Sequence, residues 1–184
     1  MTEAQRLTQV EIQSLPRWAR LAFAARCVRR AGALLRGSEE QRRVIARAIA
    51  LVEEASRSGQ AGDQLADAAA AAYTLALNEV DFSHAPGQTS ESGEEDDTLI
   101  VTCTVAHAAA FAAEAATIAV ARMAGFLVTQ SVDFAVQAHV VACPNKVPEV
   151  LAAMRHDAER LQEAVASEGW GNLTAVPWDF FEAL

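Results

Sequence analysis

Two pairs of ligating side chains stand out in the chain: Cys103 with His107, and His139 with Cys143, each separated by four residues. On α-helices that spacing puts both members of a pair on one face. Two such helices facing one another would offer a Cys₂His₂ set suited to zinc. The same pairs are candidates for a Cys/His nucleophilic dyad. No CxxC knuckle or oxyanion-hole feature accompanies either reading, and alanine-rich helices commonly bury cysteine as a small hydrophobe. The quartet therefore stands as a speculative metal site, with no cofactor assigned and no catalytic residue named.

Other side chains suggest recognition. Arg26, Arg29 and Arg30 lie within five residues and can grip an acidic partner or a phosphate, or pair with the protein's own acids. Glu114, in the most apolar stretch of the chain, needs a mate if buried, and Arg122 or an arginine of the second helix is the expected one. The ending PWDFF carries Trp178, Phe180 and Phe181. Too short for its own core, it must dock on the rest of the fold or be held by another protein. The arginine cluster and these three aromatics are the partner-binding candidates. Phosphate-cradling glycine loops, HExxH and GxSxG are absent, which argues against a nucleotide enzyme or a hydrolase.

These residues must be positioned by 184 residues of net charge −9 and 52% hydrophobic content, a length that suits one domain. The negative charge argues against binding nucleic acid through its phosphates. It is unevenly placed: residues 1–58 carry a balance of +5 and residues 59–184 one of −14. Three cysteines, an odd set, and an opening MTEAQRLTQVEIQ without an apolar signal core point to the reducing cytoplasm.

Periodicity supplies the elements. A short polar helix over 2–13 precedes Ser14-Leu15-Pro16, read as a capped entrance to a helix that ends at Gly37. Ser38-Glu39-Glu40-Gln41 has the form of a capping box and opens a helix to about Ser58. A third runs from about Leu65 to Val80. Residues 82–97, rich in Ser, Gly and acid, read as a flexible acidic loop. Thr98–Val128 is apolar all round, the mark of a buried helix. Its first turn, 98–105, and 131–142 also alternate as strands would, but helical context favours a long central helix, a break near Gly125–Ser131 and a further helix. Glu114 and the lack of basic flanks argue against a membrane span. Pro148 suits the first turn of an amphipathic helix with Leu151, Met154, Ala158 and Leu161 on one face. The aromatic tail, 170–184, follows.

The entrance SLPRWARLAFAARCVRRAG, the following AIALVEEAS, and the ending MRHDAERLQEAVASEGWGNLTAVPWDFF resemble a family of alanine-rich, all-helical bacterial proteins with no established activity. The likeness covers both ends and is looser between them. It implies a helical fold and a placed tail, and assigns no chemistry.

The expectation is an all-α, single-domain, alanine-rich multi-helix bundle with a long buried central helix and a docked aromatic tail. The functional expectation is a non-enzymatic protein-interaction or regulatory module, a subunit or inhibitor within a larger bacterial system such as stress response or defence. A protein partner is expected, homo-oligomerisation is compatible, and neither nucleic acid nor membrane is. The alternative is a small-molecule or metal-binding bundle using Cys103, His107, His139 and Cys143.

Overall fold

Thr8 opens the first helix, α1 (Gln9–Ser14): its hydroxyl accepts from Glu11 N at 3.2 Å while Glu11 takes the Thr8 N–H at 2.7 Å. This reciprocal cap satisfies two of the donors that a helix start leaves bare. The same device, Ser38 with Gln41, opens α3 (Glu39–Ser58), which closes on Gly59 in the left-handed region. Between them runs α2 (Arg17–Gly32). The chain continues through α4 (Gln64–Ser83), α5 (Gly93–Thr117) and α6 (Ala121–Ala142). A single 3₁₀ turn, Pro144–Lys146, leads into α7 (Val147–Glu168), which ends on Gly169, again left-handed.

The computed structural model describes residues 7–83, 93–177 and 180, the side chains of 79–83 and 93–96 excepted. Among these residues every element is helical, so the two ambiguous runs, 98–105 and 131–142, are helix. Helix α5 packs against α2, α3, α4 and α6. Its inner sides carry Val101, Thr102, Thr104 and Val105 in the first half and only alanine after that, with Ala106, Ala109, Ala110, Ala113 and Ala116 all buried. Small residues let the neighbouring helices approach closely. Residues 97–117 are long and apolar enough to cross a bilayer, but most of that stretch is buried among these helices.

The tail docks on the bundle. Val176 N donates to Ser56 O at 2.9 Å, and Val176 and Phe180 are both buried. Trp178 and Phe181 lie outside the described residues.

Four expectations are corrected. Ser14 does not cap α2: it is the last residue of α1 and donates to Glu11 O, and Pro16 precedes α2 without a side-chain cap. Helix α2 stops at Gly32, not Gly37. The acidic span 82–97 is partly helical, since α4 runs through Phe82 and Ser83 and α5 begins at Gly93; residues 84–92 lie outside the described residues. The break after the central helix falls at Ile118–Val120, not at Gly125–Ser131. Thr117, Ile118 and Val120 are β-branched and hold a helix weakly. Arg17 reaches over to take the Ala116 carbonyl at 2.8 Å, one of the acceptors that the end of α5 leaves unpaired.

Candidate functional site

One side of α5, continued by Ile118 just past its end, lies only partly covered between α4 and α6. Ile100, Cys103, His107, Phe111, Glu114 and Ile118 follow one another at three- and four-residue steps, and all are half-buried or exposed. On α6 the same spacing gives Met123, Phe126, Gln130, Phe134, Gln137 and Val141, again half-buried or exposed. The two stripes meet through their rings. His107 stacks on Phe134 at 5.1 Å between centroids, and Phe111 stacks on Phe134 at 5.6 Å. From α4, Tyr73 stands edge-on to Phe111 at 5.5 Å and to His107 at 6.3 Å. Phe126 and Met123 extend the patch toward the α5–α6 corner at 48% and 52% exposure.

The polar groups that α4 and α5 bring to this face bond to one another or to the backbone. Tyr73 donates its hydroxyl to Glu114 at 2.6 Å, so the mate of Glu114 is a tyrosine and not Arg122 or an arginine of α2. Burial, then the bond to Glu114 and its charge, push the Tyr73 phenol well above its ordinary value, so it stays a donor. His107 Nδ1 lies 3.1 Å from Cys103 O and 3.5 Å from Cys103 Sγ. A carbonyl can only accept, so the Nδ1 proton is assigned to that bond. The thiol itself is placed to donate to Ala76 O at 3.4 Å. With its near nitrogen protonated, His107 has no lone pair facing the sulfur, and the pair lacks the base of a nucleophilic dyad.

The Cys₂His₂ set does not assemble either. His107 lies on the Phe134 side of α6, whereas His139 is five residues further on, about 140° round the helix at 3.6 residues per turn. There it is buried and bonds to Ala135 O at 2.9 Å. Cys143 sits at the C-terminal cap of α6. Among the described residues no three of His, Cys, Asp and Glu come together where a metal could be held.

Arg26, Arg29 and Arg30 are occupied by the protein's own acids. Arg26 is 1% exposed and pairs with Asp157 of α7 at 3.0 Å, while Arg30 reaches the same carboxylate at 2.5 Å. Arg29 pairs with Glu53 of α3 at 2.5 Å, and Arg57 joins it at 3.1 Å. Burial pushes the Glu53 carboxyl up, against the opposing pull of Arg29, Arg57 and Arg26. Cys27 lies in the same core, and burial drives its thiol up to about 12, so it is inert as a nucleophile at neutral pH. Arg26 also donates to Phe180 O and lies 4.8 Å over the Phe180 ring. Of the tail's recognition candidates, Phe180 is thus an internal anchor.

The fold and this face define an all-α bundle whose central helix is open along one aromatic side. No family model, curated protein or solved structure matches the chain.

Proposed function

We propose that the chain is a non-enzymatic protein-interaction or regulatory module that works through the open face of α4, α5 and α6. One observation carries this reading: the sizes of the apolar residues are inverted. On α5 the buried residues from Ala106 onward are all alanine while His107 and Phe111 stay half-buried and Ile100 is exposed, and on α6 the largest apolar side chains are exposed, Met123 and Phe126, or half-buried, Phe134. A chain that needed only its own core would gain more by turning the large groups inward. Contiguous outward aromatics mark a surface that another molecule covers.

The face is apolar, and its Glu114 is already bonded to Tyr73. It therefore suits the apolar side of an amphipathic helix better than a charged peptide. The Ile100–Ile118 stripe is roughly 27 Å long at 1.5 Å per residue, and three helices span about 18 Å. That gives ~500 Å² per partner and ~1,000 Å² in all, the lower end of specific interfaces and the range of transient ones. The same reading keeps the protein in the cytoplasm, with no cofactor and no catalytic residue.

Photo-crosslinking tests it. Benzoylphenylalanine in place of exposed Gln137 on α6 is expected to give a discrete protein adduct in cells expressing the chain. The same group in place of exposed Glu163 on α7 is expected to give none. Adducts at both positions alike, or at neither, would count against the open face as the working surface.

A further inference from the structure

We propose that the cavity between the start of α2 and the α5–α6 corner binds a small carboxylate with an apolar body. The cavity is about 140 Å³ and is lined by Arg17, Arg20, Leu21, Ile118, Ala124 and Val128, among others. It meets the open aromatic face only at Ile118, and the proposal does not rest on that face having a partner.

The charge accounting carries the argument. Arg20 is 8% exposed, and its guanidinium bonds only to neutral carbonyls: Leu15 O at 2.8 Å, Gln13 O at 3.2 Å and Ala121 O at 3.2 Å. Arg17 gives Nη2 to Ala116 O, and its Nε is buried without an acceptor. Among the described residues neither forms an ion pair. No described acid lines the cavity, and Glu11 bonds to Thr8 and Arg155, Glu114 to Tyr73, and Glu168 to Trp170. Burial holds Arg20 below the usual guanidinium range, and no acid offsets it.

Elsewhere this protein matches its buried arginine with a carboxylate, Arg26 with Asp157. Taking a guanidinium out of water without a counter-charge is costly. At this corner an anion from solution would supply what the fold does not. The first turn of α6 starts beside the cavity with Val120 offering no side-chain cap, which adds a favourable field for negative charge.

Size and lining choose among anions. The volume lies well below the ~300 Å³ at which pockets begin to take drug-sized ligands, which excludes a nucleotide. Leu21, Ile118, Ala124 and Val128 favour a hydrocarbon chain or ring behind the carboxylate over a fully hydrated ion. Benzoate and hexanoate have that shape.

Isothermal titration of the full chain with benzoate, hexanoate and inorganic phosphate tests the assignment. Saturable one-to-one binding of the two apolar carboxylates is expected, with a rise in Tm, and with phosphate much weaker. Arg17→Gln, at a half-exposed position, is expected to weaken binding by about tenfold, as loss of a charge-assisted contact does. Ala119→Leu, at an exposed position on the cavity wall, is expected to block binding while the ligand-free Tm stays unchanged. The proposal is overturned if the folded chain binds neither carboxylate, if both variants bind as the parent does, or if phosphate binds as tightly as benzoate.

Discussion

At the scale of single residues, charge decides what can be buried. His139 sits in the core with Nδ1 on Ala135 O. Burial first, and then the field of Arg30, lower its pKa from the ordinary 6.5, against the raising effect of that hydrogen bond. The folded chain therefore binds fewer protons here than the unfolded one. Stability from this site is whole above 6.5 and is lost as pH falls below it toward the depressed folded value. Urea midpoints are expected to drop as pH is lowered through that window, and His139→Gln is expected to flatten the drop. An unchanged slope in the variant would mean that other groups set the acid sensitivity. The proton on Cys27 has the same origin, since the low-dielectric core that disfavours an imidazolium also disfavours a thiolate.

At the scale of helices, local chemistry and distant contacts divide the work. The Ser38 and Gln41 cap and the Gly59 stop are written within a few residues of the ends they make, so α3 was legible in the sequence. The end of α5 was not, because the group that meets the Ala116 carbonyl is Arg17, 99 positions away in the chain. Gly125 misled for the same reason. It does not break α6; it leaves room for Arg20, whose Nη1 would lie 2.7 Å from any added Cβ, with Gln13 Cγ at 3.2 Å. Gly125→Ala would gain about 1 kcal/mol in helix propensity. Overpacking costs about 1–3 kcal/mol, and here it presses on a buried guanidinium held by three carbonyls, so the variant is expected to be destabilised. At Gly32, near the end of α2, a Cβ would meet only Ile49 Cδ1 at 3.9 Å, and Gly32→Ala is expected to be neutral or stabilising by up to about 1 kcal/mol. Urea unfolding of the two variants should move in opposite directions; the same sign for both would refute the close-approach role of Gly125. The open face escaped notice because a stretch apolar all round does not say which side its neighbours leave bare. The outward placement of Phe111 and Phe126 among inward alanines is the signal that was available, read as size rather than polarity.

At the scale of the whole molecule, the basic front of the chain and its acidic back are joined inside the fold. Arg26 and Arg30 of α2 meet Asp157 of α7, while Glu11 of α1 and Arg155 of α7, 3.2 Å apart, pair in the opposite sense. The charge asymmetry was plain in the sequence, but whether it served a partner or the fold depended on burial, which composition does not give. The tail closes this junction: Arg26 donates to Phe180 O, and Arg26 and Arg160 both lie over the Phe180 ring. Removing residues 170–184 would expose Val176 and Phe180, each a side chain whose burial contributes about 1.5–3 kcal/mol. It would also open the Arg26–Asp157 pair to water. The truncated chain is expected to unfold at markedly lower urea, with a loss of roughly 3–6 kcal/mol, an upper estimate because unfolded chains already bury some surface. Stability within about 1 kcal/mol of the full chain would mean that the tail adds little to the bundle, and would return its aromatics to the set of partner-binding candidates. A large loss would confine recognition to surfaces that the tail leaves uncovered, the aromatic side of α5 among them, because the residues that hold the tail are then ones that join the basic front of the chain to its acidic back.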